Sequence, residues 1–420
     1  MDELVYWIWL SLACSPGGAT FSRLLEKYSS AREIYEADAD DLYKCVSYRN
    51  SDRKSLADKS LDRASEIFDF CRKHKVGLLT YCDEAYPKSL KSISSPPVLL
   101  YYRGVLPDFN KNFCVAVVGT RLLSDYGRRN AFNISYDLAR SGATIVSGMA
   151  CGIDGVALAA GLFGGGSTVA VLGSGIDVCY PAQHQRLARE IVKNGCVFTE
   201  YPPGTPPNRY NFPKRNRIIS GLSAATLVIE GREKSGAYIT ASYAKEQERA
   251  VYALPGNIGS QTSELTNLLI KNGGLLCTCA DDIIRDFEKD YHGIINPFKL
   301  SENARYDIIS VLGEYGVVAV CPSDDIFASP IGKTVKVASP TPTLKRREPQ
   351  QVVEENKTQP PDSFDKRALL IYKRIPSDGD ISVDELVDGE NNLRAVMNAL
   401  LKLEMNGFVR MLPGDRVARK

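Results

Sequence analysis

Histidine is scarce in this chain. His74, His184 and His292 are the only three in 420 residues, none at the spacing of a zinc site and none beside a nucleophile motif. Eleven cysteines include no C-x2-C pair; the nearest approach is Cys277-Thr-Cys279, and Cys114 falls in an apolar run where a thiol behaves as a small hydrophobe. Metal and redox chemistry are disfavoured, and the thiols read as those of a reduced, cytoplasmic protein. Long apolar runs are missing as well. Val5-Tyr-Trp-Ile-Trp-Leu10 falls short of the roughly 20 residues a bilayer span needs, and it follows Asp2 and Glu3 where a secretory signal would be basic. Nor does one sign of charge dominate: 52 Lys and Arg against 50 Asp and Glu give a net +2, so any nucleic-acid site must be a local patch. The dinucleotide fingerprint G-x-G-x-x-G is absent after the first strand-like run, where the sequence is Gly119-Thr-Arg-Leu-Leu-Ser124; Gly173-Ser-Gly175-Ile-Asp-Val178 lacks the third glycine. A dehydrogenase is disfavoured and no cofactor is expected.

What is present is a series of short, β-branched apolar runs ending in small turns. Phe113-Cys-Val-Ala-Val-Val118 enters Gly119-Thr-Arg121, Ala143-Thr-Ile-Val146 enters Ser147-Gly148, and Thr168-Val-Ala-Val-Leu172 enters Gly173-Ser-Gly175. Such runs suit strands buried on both faces of a parallel sheet. Helical patterns follow at 126–140, 152–162, 183–193, 237–247 and 264–271, with further strands at 195–199, 224–230, 249–254 and 275–277. This alternation predicts an α/β fold with a doubly wound parallel sheet whose turns converge on one rim. Two more runs, 76–81 and 98–102, bracket proline-containing segments and are expected to extend the sheet at one edge.

Four regions are expected. Residues 1–75 read as a small helical, helix-hairpin-helix-like module, with Pro16-Gly-Gly18 between two helical patterns and no clear basic face, so a packing or interaction role is favoured. Residues 76–290 hold the sheet. Residues 291–363 are irregular apart from a helical pattern at 304–313, and 322–363 is rich in Pro, Ser, Thr, Lys, Glu and Gln, the composition of a flexible linker. Residues 364–420 give three helices and a hairpin, the winged-helix order, with Leu393, Val396, Met397, Leu400, Leu401 and Leu403 as an apolar stripe. Protein contact and DNA reading remain equally open for that end.

The chemistry concentrates in Asn208-Arg-Tyr-Asn-Phe-Pro-Lys-Arg-Asn-Arg-Ile-Ile219. Arg209, Lys214, Arg215 and Arg217 surround Tyr210 and Phe212, with Asn211 and Asn216 available for hydrogen bonds; cations neutralise phosphates while a ring stacks on a base. Pro213 suits a helix start, and Gly-rich turns let backbone N–H groups approach an anion. Asp154 and Glu200 near strand ends could be catalytic carboxylates, but no activated partner is visible and a structural role is favoured. No catalytic residue and no metal ligand is assigned.

Many ordered motifs resemble the DprA/Smf family of DNA-processing proteins. They are Gly119-Thr-Arg121 with Ser124-Asp-Tyr126-Gly127, Ser147-Gly148-Met-Ala-Cys-Gly152-Ile-Asp154, Val171-Leu-Gly173-Ser-Gly175-Ile-Asp177 with Tyr180-Pro181, and Glu200-Tyr-Pro-Pro-Gly204. Asn211-Phe-Pro-Lys-Arg-Asn-Arg-Ile-Ile-Ser-Gly221, Glu230 with Lys234-Ser-Gly236 and Thr240-Ala241, and Leu254-Pro-Gly256 continue the match over about 110–285. The resemblance implies an extended Rossmann-like domain that binds single-stranded DNA, usually as a homodimer. It further implies a mediator that protects incoming DNA and loads the RecA recombinase in natural transformation. Carried over, the DNA contacts are Gly119, Thr120, Arg121, Gly148, Gly152, Phe212, Lys214, Arg215 and Asn216; Gly173, Ser174, Arg217, Ser235 and Thr240 complete the candidate set. Cys151 and Ala182 stand where the family commonly has basic residues, and Leu158 where it has a histidine. The competing reading is a nucleotide-cleaving α/β enzyme resembling phosphoribohydrolases, whose P-G-G-x-G-T-x-x-E motif is missing here although Thr240 lies at a comparable helix start.

Overall fold

The computed structural model describes residues 2–46, 51–296, 307–317, 366–377, 380–387, 393–405, 408–412 and 416–419. They form two compact units, Met1–Ile331 and Gly332–Lys420. The expected linker at 322–363 lies outside the described residues.

Nine strands make the sheet of the first unit: β1 (Gly77–Thr80), β2 (Leu99–Gly104), β3 (Cys114–Val118), β4 (Thr144–Ser147), β5 (Thr168–Val171), β6 (Cys196–Thr199), β7 (Ala225–Val228), β8 (Ala250–Ala253) and β9 (Leu275–Leu276). Their order is β1-β2-β6-β5-β4-β3-β7-β8-β9. From β6 to β9 every neighbouring pair is parallel. β2 runs antiparallel to β6 and β1 antiparallel to β2, so 76–102 does extend the sheet at one edge. β3 to β7 are buried along their whole length, which is why their sequences are continuously apolar rather than alternating. The chain winds outward from β3 through β4 and β5 to β6, then returns to place β7 on the other side of β3. The crevice between the carboxyl ends of β3 and β7 is therefore the topological switch point, the place where open α/β sheets take ligands.

One face of the sheet shares a continuous buried cluster with the N-terminal helices. The helix Glu3–Ala13 sits at the centre of these, burying Val5, Trp7, Ile8, Trp9 and Leu10 at once. The Trp9 indole N–H donates to the Asp58 carbonyl at 2.8 Å. The Pro16-Gly-Gly18 turn is pinned by the buried Asp52 carboxylate, which accepts from the Ser15 and Thr20 hydroxyls. The helix Ile308–Glu314 adds Val311 and Leu312 to the same cluster. Among the described residues no helix is long and apolar enough to cross a membrane.

The second unit has its own core. Helix Lys366–Arg374, strand β10 (Asp380–Ser382), helices Val383–Leu386 and Leu393–Met405, and the hairpin of β11 (Val409–Leu412) and β12 (Arg416–Arg419) follow in order, with the sheet arranged β10-β12-β11. This order fits the winged-helix arrangement, with β10 as a strand that sequence reading passes over because it is only three residues long. Of the expected stripe, Val396, Leu400 and Leu403 are buried; the side chains of Leu393, Met397 and Leu401 are not among those described.

Behind the carboxyl rim of the sheet, Arg217 and Glu200 form a buried, two-pronged ion pair: Nη1 to Oε1 and Nη2 to Oε2, both 2.7 Å. The same guanidinium donates to the carbonyls of Ser95 at 2.9 Å and Lys214 at 3.0 Å. Glu200→Ala strands that cation away from water and should lower unfolding free energy by about 3–5 kcal/mol. Urea denaturation of wild type and variant reads it directly, and a loss below about 1 kcal/mol would contradict the assignment.

Candidate nucleic-acid interface

At the switch point lies a cleft of about 430 Å³. The turn after β3, the helix Asn211–Gly221 and the segment after β7 leading into the helix Gly236–Glu246 supply its walls. Of the residues singled out from sequence, Gly119, Thr120, Arg121, Phe212, Arg215, Asn216, Ser235 and Thr240 line it.

The glycines work differently from the sequence expectation, since they make room for the protein itself. A Cβ on Gly148 would collide with the Arg215 guanidinium, one on Gly173 would lie 2.8 Å from the Phe212 ring, and one on Gly119 2.6 Å from Ile153. Gly152, at φ 80°, brings the second turn against the first, where a Cβ would collide with the Thr120 carbonyl oxygen. Several turn N–H groups already have partners. Thr120 donates to the Glu230 carbonyl at 2.8 Å, Ile153 to the Thr120 carbonyl at 3.1 Å, and Gly148 to Asp154 Oδ2 at 3.2 Å. The expectation that these turns offer their backbone donors to a ligand is corrected at Thr120 and Gly148.

Arg215 occupies the centre. It is 3% exposed, donates through Nη1 to the Val171 carbonyl, and faces Asp154. Burial pushes its guanidinium down to about 10, against the opposing pull of Asp154. Burial also raises the Asp154 carboxyl, with Arg215 and the N–H groups of Ala150 and Gly148 drawing it back. Arg215 Nε and Ser235 Oγ, both buried, have no hydrogen-bond partner among the described residues. Ser235 stands at the N-cap of Gly236–Glu246 without a side-chain capping bond. Asn216 Nδ2 at 3.2 Å and Thr240 Oγ1 at 3.4 Å both donate to the Gly236 carbonyl and fix that helix end.

Phe212 is half-buried and leans on Tyr180, ring centroids 5.4 Å apart. Arg121 and Arg215 lie within cation–π reach of it, at 5.7 Å and 5.9 Å. The ring therefore positions two guanidinium groups as well as offering a surface. Arg121, Arg209, Arg232 and Lys234 are exposed along the cleft, and none forms an ion pair among the described residues. Sequence reading misses Arg232, although it is a cation just past the end of a strand, the signal that identifies Arg121. Among the described residues, Asp154 is the one carboxylate in the lining.

Three further candidates lie elsewhere. Arg217 is committed to Glu200, which corrects its assignment as a ligand contact. Ser174 is buried and donates to the Val178 carbonyl at 2.8 Å, away from the cleft. Lys214 is exposed outside the lining, next to the Pro-Gly-Gly turn, where a Cβ on Gly17 would lie 3.7 Å from its Cγ. Among the described residues no cluster of His, Cys, Asp and Glu could hold a metal ion.

Fold and cleft together define a doubly wound α/β protein with a cation-lined cleft at its switch point. Residues 77–288 match the family model described as DNA recombination-mediator protein A. The chain is 33% identical over 435 residues to Protein Smf of a Synechocystis strain, covering 100% of this chain and 99% of that protein. It is 42% identical over 206 residues to DNA processing protein DprA of Streptococcus pneumoniae, covering 49% of this chain and 72% of that one. The X-ray structure of DNA processing protein A from Streptococcus pneumoniae superposes with a TM-score of 0.60 at 33% identity, covering 69% of this chain and 99% of the other. The chain belongs to the DNA recombination-mediator protein A family, that of the DprA and Smf proteins.

His184 has no metal or nucleophile context in the sequence, and its role is visible only in the fold. It is fully buried and its Nδ1–H donates to the Met149 carbonyl at 2.9 Å, holding a turn in which Met149 takes φ 58°. Gly155 leaves space for the ring; a Cβ there would lie 2.7 Å from Cε1. Burial lowers the pKa of His184 below its ordinary value near 6.5. The unfolded chain therefore takes up the proton first, and the stability present above about pH 6.5 is lost as pH falls below it. Thermal melts at pH 7 and pH 5 should show a smaller acid-induced drop for His184→Gln than for wild type, and equal drops would contradict this.

Proposed function

We propose that the cleft holds a segment of single-stranded DNA. The observation that carries this reading is a pair of polar atoms, Arg215 Nε and Ser235 Oγ, buried without hydrogen-bond partners among the described residues, in a lining that also presents four exposed cations free of ion pairs there. Such groups are stable together when an anion completes them. The uncapped start of Gly236–Glu246 adds partial positive charge at the same place. The half-buried Phe212 ring provides apolar surface beside the cations, the combination that suits a polymer whose bases are unpaired.

In this reading the protein is a mediator without turnover. Two backbone N–H groups donate to Asp154 Oδ2 and the Arg215 guanidinium lies near it, and among the described residues no histidine and no second carboxylate lines the cleft to complete an acid–base pair. The nucleotide-cleaving alternative gains no observation of its own. We propose as the finer role a cytoplasmic homodimer that protects incoming single strands and passes them to a RecA-type recombinase during natural transformation, a reading that family membership supports. The winged-helix end and the N-terminal helices serve as accessory contact surfaces.

Arg121→Ala should weaken oligo-dT binding and flatten the plot of log affinity against log salt by about 0.7, the share of one neutralised phosphate. Arg121→Ala with Arg232→Ala should flatten it by about twice that, whereas Lys214→Ala, outside the cleft, should change it less than Arg121→Ala does. Fluorescence anisotropy across a salt titration measures all three slopes. An unchanged slope in the double variant would place the strand elsewhere.

A further inference from the structure

A second cavity, of about 460 Å³, opens beside the first and differs from it in charge. Among the described residues, no Lys or Arg lines it. Its wall is made of Ser124, Tyr126, Asn257 and Ser260 around the carboxylate of Glu230, a residue only 2% exposed. The carboxylate is held in place: Ser124 donates to it through its backbone N–H at 3.0 Å and its hydroxyl at 2.6 Å, one bond to each oxygen. Gly127 makes the seat, since a Cβ there would collide with Glu230 Oε2. A carboxylate offers about four acceptor positions, so these two bonds leave each oxygen with capacity for another donor.

The lining decides what fits. A phosphate would meet an unneutralised carboxylate with no cation beside it, and an apolar group would strand hydroxyls and an amide. A planar group that donates N–H bonds suits it, with the Tyr126 ring and Pro255 as apolar walls; the Tyr126 hydroxyl donates to the Pro255 carbonyl at 2.6 Å and fixes both. The volume falls within the roughly 300–1,000 Å³ of small-ligand sites. The two cavities have no lining residue in common among the described residues but adjoin through one loop and through the backbone of Glu230. Leu122 lines the first and Ser124 the second, and Glu230 accepts from Thr120 N–H through its carbonyl while its carboxylate serves the second cavity.

We propose that this cavity is a nucleobase subsite of the strand held in the first cleft, selective for bases bearing an amino group over thymine. The proposal rests on the single-strand reading. A cytosine N4 amino group donates to a Glu230 oxygen, and the Asn257 amide and Ser260 hydroxyl can donate to its ring carbonyl; thymine turns its O4 acceptor toward the carboxylate instead. One nucleotide is thereby divided between two sites of opposite chemistry, its phosphate among the cations and its base beside the anion.

The test is anisotropy with oligo-dC and oligo-dT of equal length at neutral pH, using the full chain. Wild type should bind oligo-dC roughly fivefold more tightly. Glu230→Gln should bring the ratio to about one, and so should Asn257→Tyr, an exposed rim position that fills the mouth without touching the core and carries the test if Glu230→Gln fails to fold. Equal affinities in wild type, or a preference that survives both variants, would overturn the subsite and leave the first cleft's role standing. Failure of the folded protein to bind either oligonucleotide would overturn both.

Discussion

Placing the Arg215 guanidinium out of water is the constraint from which the rest of the site follows. An unpaired buried cation is unfavourable by several kcal/mol, so each neighbour has to accommodate it. Val171 supplies a carbonyl, Asp154 a charge, and Gly148 the space in which the planar group lies. These come from the end of β5, the helix after β4 and the turn between β4 and that helix, which the parallel sheet brings to one rim with a side chain from a helix far along the sequence. With Arg215 fixed, Phe212 three residues earlier on the same helix is set against Gly173, and Arg121 is drawn over its ring. The glycines are thus consequences of how the basic helix docks.

A second buried pair steadies the same helix from behind. Arg217, two residues beyond Arg215, points to the opposite side and is neutralised by Glu200. Alternate cations of one short stretch thereby take opposite places, one at the switch-point cleft and one in the scaffold. The N-terminal helices meet the helix on that far side through Gly17, so the module at the start of the chain braces the basic helix and shares its core with the sheet.

Much of this is legible in the sequence. Continuous apolar runs alternating with helical patterns identify the parallel sheet, because strands buried on both faces have no polar side to interrupt them. The turn after β3 and the basic stretch are legible because cations, aromatic rings and glycines gather there beside predicted strand ends. The direction of individual side chains is not. Arg215 and Arg217 look equivalent along the chain, and only the carboxylates that face them, Asp154 and Glu200, tell them apart. Ser174 sits in a Gly-rich turn yet bonds within its own loop, and His184 acts through a carbonyl 35 residues away. Glu230 is visible in the sequence only as part of a motif, and the seating of its carboxylate depends on a hydroxyl of Ser124 across the switch point.

The most direct test of the central claim is amide hydrogen exchange of the full chain with and without saturating oligo-dT. Exchange should slow at residues 119–122 and 232–240, the two segments that flank the switch-point cleft, with little change at 380–387 and 408–412 in the second unit. Protection confined to the second unit or to the N-terminal helices, with the cleft segments unaffected, would contradict the assignment of the cleft to the strand.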